Sequence, residues 1–192
     1  DIFIKRHFLY RRATRLKLSR VDEREIVEHI IKGFLASGKV IDRDLISGAC
    51  RLFKCNLFSI NHFTSVCDSL SKGYIMEPVL LEALATVMAT NRGRFISMMN
   101  DLTTFQVSLL KAIIDGYSKF STAEVIRKYS LNSSANVRRL KDALMKKEIL
   151  TFVGEDAKPV ILDPLFEYWL RNYYFKKNRS RPRATFQRRM NI

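Results

Sequence analysis

Residues 121–162 constrain the fold more tightly than any other part of the chain, because their local signals come in a fixed order. Ser121 with Glu124 reads as a capping box, starting a helix that buries Val125, Ile126 and Tyr129. A Ser/Asn turn over 131–134 follows. A second helix is predicted over about 135–147, with Val137, Leu140 and Leu144 three and four apart on one stripe. Its opposite face carries Asn136, Arg138, Arg139, Lys141 and Lys146. Two β-like runs come next, 149–153 and 159–162, and the Gly154-Glu155-Asp156-Ala157-Lys158 segment between them makes a hairpin. Upstream, Thr103 with Gln106 caps a helix expected to bury Phe105, Leu109, Leu110 and Ile113.

Helix, helix, turn, helix, hairpin is the order of a winged helix-turn-helix, which usually lays its recognition helix in a DNA major groove. The alternative use of such a unit is contact with protein, or an intramolecular clamp without DNA binding. For DNA, the geometry assigns Ser133, Ser134, Asn136 and Arg139 to base or phosphate contact, and Arg138, Lys141 and Lys146 to the backbone. The wing argues the other way. Glu155 and Asp156 at its tip repel phosphate unless Lys158 offsets them.

The rest of the chain reads as helices with short connections. Residues 1–20 look like a strand-and-loop lead-in. Asp22 with Glu25 caps a helix to about Ser37, ended by Gly38; Asp42 opens a second, to Phe53. A third is predicted over 58–71 and a fourth from Pro78, continuing or restarting after Gly93. Four short antiparallel helices make a compact bundle. Asp163-Pro164 caps a last helix, with Leu165, Phe166, Trp169 and Leu170 packing back on the winged helix and Tyr173, Tyr174 and Phe175 joining an aromatic cluster. The expected fold is mainly α, a four-helix bundle followed by a winged helix-turn-helix with a small β-hairpin. The expected units are 1–20, 21–101, 102–175 and a basic flexible tail, 176–192.

Composition narrows the function classes. With 47% hydrophobic residues the chain can build a core, and no apolar run approaches a membrane-spanning length. Three cysteines, an odd count, fit a reducing, cytoplasmic setting. The spacing Cys50-x4-Cys55-x6-His62-x4-Cys67 is too wide for a zinc knuckle, so buried thiols are expected and no metal. His7, His29 and His62 have no spaced nucleophile with an orienting acid, and Asp22, Glu23, Glu25 and Glu28 read as ordinary helix-surface carboxylates. No catalytic residue is assigned. The net charge of +15 attracts phosphate polyanions and concentrates at the ends. Lys5, Arg6, Arg11, Arg12, Arg15, Lys17 and Arg20 stand against Asp1 alone, and the last twenty-two residues carry eight cations and no acid.

Several runs also resemble a family. Leu102-Thr-Thr-Phe-Gln, Leu110-Lys-Ala-Ile, Ser121-Thr-Ala-Glu-Val-Ile-Arg-Lys-Tyr, Ser133-Ser-Ala-Asn-Val-Arg-Arg-Leu-Lys-Asp-Ala-Leu, Lys147-Glu-Ile-Leu and Asp163-Pro-Leu-Phe-Glu-Tyr-Trp-Leu are similar to the C-terminal part of archaeal-type AAA ATPases. These are P-loop proteins related to the STAND class, found in archaea and Bacteroides-like bacteria. Phe8-Leu-Tyr-Arg and Cys50-Arg-Leu-Phe-Lys-Cys-Asn-Leu-Phe-Ser-Ile-Asn resemble the end of the ATPase core and its helical lid. The resemblance implies a nucleotide-binding core upstream that holds ATP and Mg²⁺, partners this chain, and carries any oligomer contacts. It also implies an arginine reaching phosphate, for which Arg6, Arg11 and Arg12 are the candidates. Asn56-Leu57 departs from the family's small residue and proline at the third lid helix. No G-x-x-x-x-G-K-[ST] occurs, so this chain lacks the phosphate cradle itself. A chain that opens Asp-Ile-Phe fits an excised C-terminal piece, not itself an enzyme, of a full-length ATPase.

Overall fold

The computed structural model describes residues 21–154 and 157–176. Asp22 accepts a hydrogen bond from the Arg24 amide and opens α1 (Glu23–Ala36). Asp42 opens α2 (Arg43–Leu52) in the same way. Asn56 accepts from the Ser59 amide ahead of α3 (Leu57–Leu70). Each side chain satisfies an amide that a helix start leaves without a partner. The acids of α1 do more than solvate a surface, since Glu28 pairs with Arg43 and Glu23 with Arg51, fastening α1 to α2.

A small element joins the connections. β1 (Val40–Ile41) runs parallel to β2 (Tyr74–Ile75), Val40 opposite Tyr74 and Ile41 opposite Ile75. Ile41 and Ile75 point into the core while Val40 and Tyr74 face outward. Two residues per strand are too few to show a period-two pattern, so the sequence gives no sign of this pair.

The fourth helix takes the first of its two expected courses and continues past Gly93. α4 (Glu77–Asn100) is a single helix of 24 residues that passes straight through Gly93. Its first half buries Leu80, Ala83, Leu84 and Val87 beside α3, and its second half buries Phe95 and Met99. Glycine inside a helix costs about 1 kcal/mol relative to alanine. Each buried leucine or phenylalanine offsets more than that, about 1.5–3 kcal/mol. The helix therefore continues and becomes a spine for both halves.

α5 (Thr104–Ile114) begins with the capping box foreseen at Thr103 and Gln106. Phe105, expected in the core, is instead 43% exposed, and Gln106 is buried where its amide closes the box. The cap fixes the rotation of the first turn, and that rotation puts Phe105 outside. α6 (Ala123–Lys128) is opened by Thr122, whose hydroxyl accepts from the Val125 amide, not by Ser121. Phe120 is buried and anchors the chain just before it, which leaves Ser121 in the loop. Of the three residues expected inside, Val125 and Tyr129 are buried and Ile126 is half-buried.

α7 (Ser134–Lys146) buries Val137, Leu140 and Leu144 as predicted. It leads into β3 (Leu150–Val153), antiparallel to β4 (Lys158–Ile161), with Leu150 opposite Ile161. α8 (Pro164–Trp169) is capped by Asp163, which accepts from the amides of Leu165 and Phe166, and it runs on into a π-helical turn, Leu170–Tyr174. Phe166 and Trp169 pack on Phe95 of α4 at 5.5 and 5.6 Å between ring centroids. The last helix therefore seats on α4 as well as on the hairpin. Among the described residues, no helix is long and apolar enough to cross a membrane. The lead-in over 1–20, the wing-tip acids Glu155 and Asp156, and the tail from 177 lie outside the described residues.

Candidate nucleic-acid interface

The turn between α6 and α7 is built from backbone geometry. Ser130 takes φ +53° and Asn132 φ +72°, both left-handed. The Leu131 amide donates to the Ile126 carbonyl at 2.9 Å, closing α6, and the Leu131 side chain is fully buried. Asn136 reaches back from α7 and donates through Nδ2 to the Leu131 carbonyl at 3.0 Å. The Ser133 hydroxyl accepts from the Asn136 amide at 3.2 Å. Two of the side chains assigned to base contact thus hold the turn itself. Ser134 sits beside them in the first turn of α7, exposed.

With Val137, Leu140 and Leu144 turned inward, the outward face of α7 is set by the 3.6-residue repeat. Arg138, Asp142 and Lys146 follow one another at four-residue steps, with Arg139 alongside, and all four are exposed. Arg138, Arg139 and Lys146 make no ion pair or hydrogen bond with another described residue. Asp142 lies in the middle of this cationic face, a residue outside the expected contact set. Its spacing of four from both Arg138 and Lys146 was the available signal.

Lys141 is turned to the side. Its ammonium lies 4.5 Å from the Phe152 ring centre and 5.4 Å from that of Phe120, which fixes the hairpin against α7. The half-buried Lys141 is a packing cation first, as amphipathic stems commonly are. Lys158, at the start of β4, is exposed.

Beneath α6, Tyr129 donates its hydroxyl to Asp115 at 2.7 Å, and Lys111 pairs with the same carboxylate. Burial raises the Asp115 pKa, but the hydrogen bonds from Lys111 and Tyr129, with the Lys111 charge, outweigh it and hold the carboxyl below its usual value. Burial, with the contact to Asp115, pushes the Tyr129 phenol up. Lys128 donates to the Tyr117 hydroxyl at 2.9 Å, which raises the lysine's pKa. These cations belong to the support of the motif.

Arg6, Arg11 and Arg12 lie outside the described residues, so the structure neither gathers nor separates them. Cys50 and Cys67 are buried as expected, whereas Cys55 is only half-buried, in the turn after α2. Among the described residues, no group of three or more His, Cys, Asp or Glu side chains is placed to hold a metal ion.

Residues 93–172 match a family model described as a probable winged helix domain. That span covers the second half of α4, the three helices of the motif, the hairpin and α8. The chain carries a winged helix over these residues, on a mainly helical fold. No curated protein and no solved structure matches the chain.

Proposed function

We propose that the winged helix contacts nucleic-acid phosphates through α7, as the C-terminal regulatory part of a larger archaeal-type AAA or STAND-like P-loop ATPase. One observation supports the nucleic-acid reading most. Arg138, Arg139 and Lys146 share one exposed helix face and spend their charge on no other described residue. With Asn136 and Ser133 tied into the turn, little remains on this face for base-edge readout, so binding is carried by the backbone. The proposed setting is cytoplasmic. On this proposal ATP and Mg²⁺ bind an upstream core, which also mediates any oligomer; these 192 residues contain no phosphate-loop motif.

A second reading rests on Asp142. A carboxylate amid three cations suits a protein surface of mixed charge better than a phosphate ladder, and the wing sequence adds Glu155 and Asp156. On that reading, α7 closes onto the ATPase core or a protein partner and leaves DNA alone.

Gel-shift titration of the full chain on duplex DNA from 50 to 200 mM salt separates the two. Three phosphate contacts on α7 contribute about −2.7 to the log–log slope, an affinity loss of roughly 40-fold over that range, to be read as the difference between the wild type and the α7 variant. The triple substitution R138A/R139A/K146A should remove most of the binding, and truncation after Phe175 should leave the α7 share intact. Absence of a shift at 50 mM salt, or a shift indifferent to the triple substitution, sinks the phosphate reading and leaves the clamp.

A further inference from the structure

Five helices end in the same six-residue closure, in which an amide donates to the carbonyl five residues earlier. The bonds are Lys39 to Phe34, Cys55 to Cys50, Tyr117 to Ala112, Leu131 to Ile126 and Ile149 to Leu144, at 2.8 to 3.1 Å. The inner bond of the motif is present in all five as well, in α2 from Lys54 to Arg51 at 3.0 Å. Such a closure sets the side chains of its first and sixth residues against each other, usually as an apolar contact. Ile126 with Leu131 and Leu144 with Ile149 fit that pattern. At the end of α2 both positions are thiols.

The backbone puts these two cysteines within bonding reach. The Cys55 amide lies 2.8 Å from the Cys50 carbonyl oxygen. Standard covalent lengths then limit the separation of the two Cα atoms to about 6.7 Å, inside the span of a disulfide. Lys54 and Cys55 take φ +52° and +55°, a left-handed pair that non-glycine residues rarely adopt, and this folds the chain back over α2. Cys50 is fully buried and Cys55 half-buried, so a reagent has one point of entry. Cys67, buried on α3, shares no such closure with either.

We propose that Cys50 and Cys55 form a redox-active dithiol that closes to a disulfide by exchange with small-molecule disulfides of the glutathione type. The Cys55 thiolate attacks one sulfur of the small disulfide, whose S–S bond breaks and releases one small thiolate. The Cys50 thiolate then attacks the Cys55 sulfur and displaces the second small thiolate. The protons given up by the two protein thiols go through solvent to the two leaving thiolates. In sum, two protein thiols are oxidised to one disulfide and one small disulfide is reduced to two thiols. Burial, followed by the neighbouring Cys55 and Glu23, pushes the Cys50 thiol up to about 12. Because Cys50 is buried and Cys55 half-buried, a mixed disulfide on Cys55 comes first.

The test is incubation of the folded full chain with glutathione disulfide at about pH 8, near the ordinary thiol pKa. The remaining thiols are then alkylated in denaturant and the product is mapped by mass spectrometry. The expected product is lighter by two hydrogens before alkylation, with the Cys50 and Cys55 peptides linked and Cys67 alkylated. Cys67→Ser should form the same link. Cys55→Ser should lose it, as should Cys50→Ala, which retains a glutathione adduct on Cys55. A mixed disulfide on wild-type Cys55 that never closes overturns the proposal. So does a link to Cys67, or a Cys50–Cys55 link that forms only in denaturant.

Discussion

At Asp115, burial and hydrogen bonding pull in opposite directions, and the balance makes a measurable pH dependence. Burial disfavours the carboxylate, yet Lys111 and the Tyr129 hydroxyl stabilise it enough to hold its pKa below the ordinary value. A carboxyl with a lowered folded pKa stabilises the fold above its unfolded pKa, and that share is lost as pH falls through the folded value. Tyr129→Phe removes one of the two donors. Urea unfolding at pH 7 should show a loss of about 1–2 kcal/mol, the usual worth of a hydrogen bond to a charged group at a partly open site. Below about pH 4 the gap between the two proteins should narrow, because protonation removes the charge that the hydroxyl stabilises. A gap of constant size from pH 7 to pH 3 contradicts the assignment. Asn136 carries a related lesson. Its position at the head of α7 suggested a base contact, but an asparagine that reaches back to a carbonyl five residues earlier leaves no distinct mark in a linear sequence.

At the scale of elements, Leu109 and Phe105 of α5 give a direct comparison. Leu109→Ala should cost about 2–5 kcal/mol, since that side chain is fully buried, whereas exposed Phe105→Ala should change stability by less than about 1 kcal/mol. Chemical denaturation of both variants checks this, and equal losses contradict the observed rotation of the helix. The contrast shows what the sequence could supply. Caps and periodicity located α1, α2, α3, α5 and α7 to within a residue or two, because a helix start and an apolar stripe are local signals. In the first turn of α5 two local signals compete, and the capping box wins over the apolar stripe: it buries Gln106 and leaves Phe105 outside. α4 ran past Gly93 because Phe95 meets Phe166 and Trp169, residues some seventy positions away. For the candidate interface, the stripe of α7 and its cations are legible in the sequence, while the packing of Lys141 on two rings is not, because Phe120 and Phe152 reach it only in the folded chain.

At the scale of the whole molecule, α8 is the piece that holds the two ends of the described chain together. Buried Glu167 accepts from Arg171 through Oε1, at 3.2 Å from Nε and 3.1 Å from Nη2, and pairs with Lys54 through Oε2. Arg171 in turn donates to the Ile114 carbonyl at the end of α5, at 2.7 Å. One carboxylate thus joins the α2–α3 turn, the π-helical turn and the winged helix, with Arg94–Asp163 at 2.7 Å as a second tie to α4. Removing one charge from a buried, branched pair leaves its partners partly unsatisfied. Because Lys54 and Arg171 keep access to solvent, the cost is set below that of a fully buried pair, at about 2 kcal/mol. Glu167→Gln should therefore lower stability by about that amount and also uncouple the halves. Trp169 is the only tryptophan, so its fluorescence follows α8, while far-ultraviolet circular dichroism follows every helix. In the wild type the two signals should unfold together, as a single cooperative unit does. In Glu167→Gln the fluorescence midpoint should fall below the circular dichroism midpoint. Glu82→Gln, an exposed acid on α4, should leave both midpoints in place. Coincident midpoints in Glu167→Gln, with less than about 0.5 kcal/mol lost, would mean that the aromatic contacts to Phe95 join the halves unaided and that the charged network is incidental to the fold.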